Sequence, residues 1–266
     1  MLSRLRGWIA AHPRWSVAII IFIAVPVIAY SALIWKTALR PDRLASVSRL
    51  VRQFDQVVFQ QEPEKAHLVR ISKWTSQVPI RISGDHGDRW NEFIERQVET
   101  LRELTGVNFL IDWIPRQRGK IFIYFAEPSD YDRIIIKHVR RPGSFLESSK
   151  GKTCFSRYTI PFRVIKKSII IISTERSDYL TAICIFRQLT RVLGFPNVSE
   201  MIRPSVFSKW ENDLWSLSIN DRILVRTLYD KRMQVGMHRE EALEVARLII
   251  ADLAAEARAK EAQAGD

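Results

Sequence analysis

Histidine and cysteine are scarce in this chain of 266 residues. No histidine is followed by another at the third or fourth position, the spacing that places two imidazoles on one helical face. The histidines are His12, His67, His86, His138 and His238. A Gly-x-Ser-x-Gly elbow, a Walker loop and a Gly-x-Gly-x-x-Gly loop are also absent. The sequence signatures of common zinc proteases, serine hydrolases and nucleotide-binding proteins are therefore missing.

The cysteines are only two, Cys154 and Cys184, and neither belongs to a Cys-x-x-Cys motif. A thiol redox centre or a cysteine-rich metal site therefore has no support. In an exported domain such a pair predicts one disulfide bond, whereas two buried thiols are the alternative. A bridge closing a loop of about 30 residues stabilises a fold by roughly 3–4 kcal/mol in the chain-entropy treatment.

Acidic residues are outnumbered, with 29 against 41 basic residues and a net charge of +12. Such an excess suits anionic partners, namely lipid head groups, acidic glycans or nucleic acid, and a solubilising surface is the plainer alternative. Most basic residues are scattered along the chain, and no nucleic-acid-binding motif accompanies them. We therefore expect no nucleic-acid partner.

The N-terminal region contains one long uncharged run, from Trp15 to Trp35. At 1.5 Å per residue this run is about 31 Å long as a helix, the thickness of a bilayer core. It predicts a signal anchor at 15–35 after a cytoplasmic segment 1–14, and a cleaved signal peptide is the alternative. A juxtamembrane helical stem is expected at 36–66, an exported domain at 67–260 and a flexible tail at 261–266.

Hydrophobic periodicity predicts an α+β fold with a mixed sheet. Helices are expected at about 89–104, 178–193, 218–229 and 239–259, and an amphipathic helix within 37–66 could pack on the domain or on the membrane. Strands are expected at 71–74, 79–82, 108–114, 120–125 and 168–173, the last in a hairpin with 162–164. Residues 128–150 are expected to be irregular. Ser177 and Ser218 are expected to cap helices, and Gly194 to end one.

The segment from Arg187 to Asn197 resembles the zinc helix of metzincin proteases. In those enzymes two histidines four residues apart bind zinc, a glutamate beside the first is the general base, and a glycine precedes a third histidine. The Leu-Gly-Phe helix end is present here, but the ligand positions hold Arg187, Arg191 and Asn197, and the base position holds Gln188. Arginine stays protonated and has no lone pair for a metal. The resemblance thus implies a metzincin-like, zincin-type fold without metal or cofactor.

From about residue 70 to 250 the chain also resembles the bacterial domain-of-unknown-function family 2927, whose members are exported. The residues that carry this resemblance are Cys184, Leu193 to Asn197, Pro204 to Phe207, Asp221 and Leu228 to Asp230. The family usually has an acidic pair after the cysteine, whereas Arg187 and Gln188 stand in this region here. The resemblance implies a bacterial location, with the N-terminal helix in the inner membrane and the domain in the periplasm.

The spacing of Arg187 and Arg191 places both guanidiniums on one helical face, which the metzincin resemblance would put in the former substrate cleft. Two guanidiniums there suit a carboxylate or a phosphate, and exposed or ion-paired arginines are the alternative. With Gln188 and Asn197 they form the predicted ligand-binding set. We therefore expect a catalytically inactive, membrane-tethered binding or scaffolding module for an envelope protein, peptide or peptidoglycan. The alternatives are an exported hydrolase with an unrecognised site and a basic membrane-surface protein.

Overall fold

The structure, a computed structural model, describes residues 43–59, 69–84, 87–112, 119–139, 142–160, 163–209 and 216–264. Leu44–Asp266 form one compact unit of helices and strands, and the expected α+β class is confirmed. The expected membrane span at 15–35 lies outside the described residues. Within the described part of the chain, no helix combines the length and apolar character needed to cross a membrane.

Helices and strands are interspersed along the described residues. The α-helices are α1 (Val47–Phe59), α2 (Gly87–Thr105), α3 (Tyr131–His138), α4 (Gly143–Ser149), α5 (Asp178–Arg191), α6 (Ile219–Tyr229) and α7 (Arg239–Ala264). The strands are β1 (Val78–Ser83), β2 (Phe109–Asp112), β3 (Ile121–Ala126), β4 (Cys154–Thr159) and β5 (Lys167–Ser173). The predicted helices near 89–104 and 178–193 correspond to α2 and α5, and the predicted strands near 120–125 and 168–173 correspond to β3 and β5.

The strands form one mixed sheet in the order β2-β1-β3-β5-β4. Strands β1, β2, β3 and β5 are parallel, and β4 is antiparallel to β5 at one edge. The isoleucine run of β5 is buried on both faces: Ile170 and Ile172 pack in the main core, and Ile169 and Ile171 in a smaller core with residues of α3 and α4. Helix α5 packs on β5 and β4 on the side of the main core.

The first described helix belongs to the domain core. Leu50, Phe54 and Val57 of α1 are fully buried, and the helix packs on α6 and α7. Arg239 donates two hydrogen bonds to Asp55, of 2.7 and 2.6 Å, which join α7 to α1. Of the two arrangements considered for this amphipathic helix, the structure has the one packed on the domain. The core therefore begins within the segment that we expected to be a stem.

The helix ends agree with the predicted caps. The Ser177 hydroxyl accepts a hydrogen bond from the Leu180 amide, and the Ser218 hydroxyl accepts one from the Asp221 amide, at 3.5 and 3.1 Å. Helix α7 continues to Ala264, past residue 260, where we expected a flexible tail to follow. Its alanine-rich, charged end keeps a strong helix propensity, which accounts for the extension.

The predicted hairpin of 162–164 with 168–173 is wrong, because the antiparallel partner of β5 is β4. The predicted irregular stretch 128–150 is also wrong, since it contains α3 and α4, whose Ile135 and Phe145 are buried in the smaller core. The predicted strand 71–74 contributes only one bridge, between Lys73 and Val164. Ile71 instead exchanges backbone hydrogen bonds with residues 236 and 237. In each case a distant partner decides the local structure.

Candidate functional site

The C-terminal end of α5 is held close to the segment before β1. Gly194 has a φ of +125°, and a Cβ at this position would lie 2.3 Å from the Ser72 carbonyl oxygen. The indole nitrogen of Trp74 donates a 2.9 Å hydrogen bond to the Val192 carbonyl. The close approach of the Ser72 carbonyl and the positive φ therefore account for the glycine of the Leu-Gly-Phe motif.

Gln188, at the general-base position of the zinc-helix motif, joins α5 to the edge strand. Its Oε1 accepts a 2.6 Å hydrogen bond from the Ser156 hydroxyl, and its Nε2 donates one of 3.3 Å to Cys154 Sγ. Cys154 is bonded to Cys184, so the predicted disulfide is confirmed. The carboxamide is therefore engaged in holding β4 against α5, beside the covalent link between the same two elements.

Arg191, one helical turn after Arg187, is a partly buried cation. Its Nη2 donates a 2.7 Å hydrogen bond to the Pro196 carbonyl. Burial lowers the pKa of its guanidinium, and the neighbouring charge of Arg187 lowers it further, while Tyr158 has the opposite effect. The side chain nevertheless remains protonated. Within the described ranges, no carboxylate forms an ion pair with Arg191.

Two adjacent cavities open along β4 and the end of α5. The larger cavity has a volume of about 620 Å³ and lies among residues 69–72, β4, Arg163 and Gly194. The smaller cavity, of about 400 Å³, lies among residues 151–154, α5 and 206–209. Lys152 and Arg191 line both cavities. We refer to the two cavities together as the basic cleft.

The described residues that line the basic cleft include many basic and no acidic side chains. In the larger cavity the basic residues are Arg70, Lys152, Arg157, Arg163 and Arg191. In the smaller cavity they are Lys152, Arg176, Arg187, Arg191 and Lys209. Several of these cations have other contacts. The Arg157 guanidinium lies over the Phe145 ring, Arg176 donates to Thr153, and Arg70 and Arg191 donate to the carbonyls of Val69 and Pro196. A concave surface lined by charges of one sign concentrates counter-ions, in this case anions.

The predicted ligand-binding residues are partly brought together. Arg187, Gln188 and Arg191 line the smaller cavity, whereas Asn197 lines neither cavity. The Asn197 amide donates a 3.2 Å hydrogen bond to the Val57 carbonyl, and its buried Nδ2 has no hydrogen-bond partner among the described residues. The described residues also contain no group of three or more His, Cys, Asp or Glu side chains placed to hold a metal.

Reasoning from the sequence missed six of the eight described cations of the basic cleft. Three of the six, Lys152, Arg163 and Lys209, lie in loops, and no local pattern marks them. Lys152 precedes β4, which was not predicted, and Arg163 was placed in a strand. Arg163 has a left-handed backbone conformation, with a φ of +70°. Because glycine is the residue that usually indicates this conformation, the sequence contains no sign of it here.

A tight turn formed by Ser205, Val206 and Phe207 follows α5 and is fixed by one buried carboxylate. Asp221, with no exposed surface, accepts a 2.6 Å hydrogen bond from the Ser205 hydroxyl and a 2.9 Å bond from the Val206 amide. The Phe207 ring packs on Phe195, with centroids 4.9 Å apart. The turn is therefore anchored to the start of α6 and to the residue after Gly194.

We expect Asp221→Asn to change how the free energy of unfolding depends on pH. Burial raises the pKa of Asp221 from 3.8 to about 6, although hydrogen bonds from Ser205 and Val206 oppose the rise. Because the folded pKa is the higher one, the stability contribution of Asp221 is full below pH 4 and is lost as the pH rises through 6. The whole loss corresponds to about 3 kcal/mol, of which roughly 2 kcal/mol falls between pH 4 and pH 7.

Urea unfolding of both proteins at pH 4 and pH 7 measures this effect. The free energy of unfolding of the wild type minus that of Asp221→Asn should fall by roughly 2 kcal/mol from pH 4 to pH 7. Glu256→Gln is a control of opposite sign, because Arg226 and Lys260 lower the pKa of Glu256 to about 2. The advantage of the wild type over this control should not shrink as the pH rises. An Asp221→Asn difference that is independent of pH would contradict the assignment.

The fold and the site define an α+β domain with a cation-lined cleft between an edge strand and a helix. Over residues 48–247 the chain matches the family described as "Protein of unknown function (DUF2927)". The chain therefore belongs to the DUF2927 family, as its motifs predicted. A comparison with curated proteins finds no match. The matched region begins in α1 and ends in α7, so it contains both cavities.

Proposed function

We propose that this chain is a catalytically inactive, membrane-tethered, metzincin-like module of the bacterial envelope that binds an anionic ligand in the basic cleft. The observation that carries the proposal is Arg191. This partly buried guanidinium opens onto both cavities, donates to the Pro196 carbonyl and has no ion-pair partner in the described residues. A bound phosphate or carboxylate would supply the missing countercharge.

The electrostatic argument is that charges withdrawn from water need partners. Burial already disfavours the charge of Arg191, and Arg187 one turn away adds repulsion. Lys152 borders both cavities and Lys209 borders the smaller one, so the repulsion extends along the cleft. An anion that accepts hydrogen bonds from these donors relieves the repulsion and gains charge-assisted hydrogen bonds of its own.

The order of the elements and the turn support a metzincin-like ancestry, because metzincins also have a strand, a helix and further strands before the zinc helix, and a tight turn and another helix after it. The chain runs from a strand through a helix and further strands to α5, which ends at Gly194, and the turn at Ser205–Phe207 and helix α6 follow. The positions that would hold zinc ligands carry Arg187, Arg191 and Asn197, which supports a binding role for the cleft in place of hydrolysis.

Support for an envelope location comes from the N-terminal sequence and the disulfide. The uncharged run at 15–35 has the length of a membrane span, and the Cys154–Cys184 bond suits an oxidising compartment outside the cytoplasm. A tethered module of this kind would bind an envelope protein, a peptide or a peptidoglycan-linked polymer that carries negative charge.

We expect Arg191→Met to weaken anion binding by about tenfold to a hundredfold, because each hydrogen bond to a charged group contributes roughly 1.5–3 kcal/mol. Titration calorimetry of the purified chain with inorganic phosphate measures this change. Arg258→Met is the matched control, since Arg258 is an exposed residue of α7 that lines neither cavity. It removes the same charge and should leave the affinity unchanged.

The double variant Arg187→Glu with Arg191→Glu extends the test by reversing the charge of the cleft. It should abolish phosphate binding while circular dichroism shows a retained fold. Equal phosphate binding by the wild type, Arg191→Met and the reversed variant would contradict the binding site. Stoichiometric zinc in the purified chain, measured by elemental analysis, would contradict catalytic inactivity.

A further inference from the structure

The two cavities of the basic cleft share a boundary and differ in their outer residues. Arg191 and Lys152 border both, Arg163 borders only the larger cavity, and Lys209 borders only the smaller one. A single small anion at the shared boundary would contact Arg191 and Lys152 and leave Arg163 and Lys209 without a ligand contact. We propose that one linear ligand, whose phosphates are joined by phosphodiester bonds, lies across both cavities, an inference that depends on the anion-binding function proposed above.

The spacing of the cations along α5 suits a chain of phosphates. Arg187 and Arg191 are four residues apart, which corresponds to a rise of about 6 Å along the helix. Successive phosphates of a phosphodiester chain lie a similar distance apart, so each guanidinium can bind a different phosphate. Phosphate oxygens accept hydrogen bonds from both arginine and lysine, the two residue types found here.

The larger cavity is not lined by cations alone. Val58, Val69, Phe155 and Ile160 contribute apolar surface beside the cations of this cavity. The carbon units that separate the phosphates of such a ligand would pack against this surface. A compact inorganic polyphosphate has no such units, and a mixed lining therefore favours an organic phosphodiester chain.

Arg163 is held at the edge of the larger cavity in a strained conformation. Its φ of +70° makes it the one non-glycine residue with positive φ among the described residues. A side chain in this region costs of order 1 kcal/mol or more, and such strain is often retained where it positions a functional group. In the proposed complex Arg163 binds the phosphate farthest from the smaller cavity.

Chain-length dependence tests whether one ligand spans the cleft. The probes are base-free deoxyribose-phosphate oligomers with one, three and five phosphates, titrated into the full chain purified in detergent. The five-phosphate probe should bind with a stoichiometry of one and at least about 100-fold more tightly than the one-phosphate probe. Its affinity should fall with salt with a log–log slope of roughly −0.7 for each phosphate contacted.

Two variants locate the ends of the ligand. Arg163→Gly and Lys209→Ala should each weaken the five-phosphate probe by about tenfold and reduce the salt slope by roughly 0.7. Arg258→Ala on α7 should do neither. Because glycine tolerates positive φ, Arg163→Gly should unfold no earlier than the wild type, so its loss of affinity cannot come from misfolding.

The outcomes separate this inference from the anion-binding function. If the one-phosphate probe binds through Arg191 but affinity does not grow with length, the spanning ligand is wrong and the anion site stands. If no probe binds, both proposals fail. A penta-glutamate peptide that binds as tightly as the five-phosphate probe would overturn the phosphodiester class. A five-residue oligothymidylate should bind as tightly as the five-phosphate base-free probe. This result would assign recognition to the sugar-phosphate backbone of the ligand.

Discussion

Gly194→Ala is expected to lower the free energy of unfolding by about 4 kcal/mol, which combines overpacking and backbone strain. The added Cβ would lie 2.3 Å from the Ser72 carbonyl oxygen and 3.1 Å from a methyl carbon of Leu228. Backbone atoms cannot rotate out of the way as a side chain can, so the end of α5 must separate from the segment before β1. The φ of +125° adds strain that any residue other than glycine would meet.

Gly236→Ala is the matched control for Gly194→Ala. Gly236 also has a positive φ, of +87°, but a Cβ there would meet no atom within 4 Å. The control should therefore lose only the conformational part, about 1–2 kcal/mol. Chemical unfolding followed by circular dichroism measures both variants. If both variants lose the same free energy of unfolding, the contact with Ser72 is not the reason that residue 194 is a glycine. The packing explanation of the Leu-Gly-Phe motif would then be wrong.

The reason for the glycine at position 194 affects how the Leu-Gly-Phe motif is interpreted. In the metzincin comparison the glycine follows the zinc-binding helix, and its presence here without zinc ligands could suggest a remnant. The structure gives it a separate reason, because Ser72 approaches the backbone at Gly194 and Trp74 donates to Val192. The contact with Ser72 therefore explains the glycine without reference to a metzincin ancestry.

Much of the fold could be predicted from local signals. Ser177 and Ser218 are hydroxyl caps with ordinary geometry, and the isoleucine run of β5 is continuous because both faces of that strand are buried. The disulfide could be predicted because the chain has only two cysteines and the domain was expected to be exported. The caps and the isoleucine run depend on residues close in sequence, and the disulfide depends on the number of cysteines. Both kinds of information can be taken from one sequence.

The edge strand and the small core could not be predicted in this way. Strand β4 mixes Cys154, Ser156, Arg157 and Tyr158, so it lacks the alternation of a half-buried strand, and its pairing with β5 decides its structure. Helices α3 and α4 are short and depend on packing against Phe155 and the isoleucines of β5. Their stability comes from tertiary contacts, because isolated helices of this length are marginal.

Some residues of the basic cleft could likewise be predicted from local sequence, and others could not. Arg187 and Arg191 could be paired because helical spacing places them on one face, and both line the smaller cavity. Arg163 and Lys209 reach the cleft from loops whose positions depend on the sheet edge and the Asp221-anchored turn. The charge excess of the sequence suited either an anionic partner or a solubilising surface. Only the fold assembles those charges into one concave surface.

Replacing both cysteines by alanine is expected to lower the free energy of unfolding by roughly 3–4 kcal/mol, because the bond closes a loop of about 30 residues in the unfolded chain. The bond joins β4 to α5 beside the smaller cavity, and Cys184 is 1% exposed. Guanidinium unfolding of the oxidised wild type and the double variant measures the loss. Reduced wild type should resemble the double variant, which separates the bond from the side chains.

The same variant tests whether the cleft depends on the bond. Without the disulfide, Gln188 still accepts a hydrogen bond from Ser156, and backbone pairing with β5 still holds β4 in the sheet. We therefore expect the double variant to remain folded in dilute buffer, with phosphate affinity reduced about tenfold because Lys152 and Arg191 lose their fixed separation. Adding Gln188→Ala to the double variant should remove the remaining side-chain hydrogen bond between β4 and α5 and abolish binding. If the double variant loses less than about 1 kcal/mol and binds phosphate normally, sheet pairing alone positions β4, and the disulfide has no part in organising the cleft.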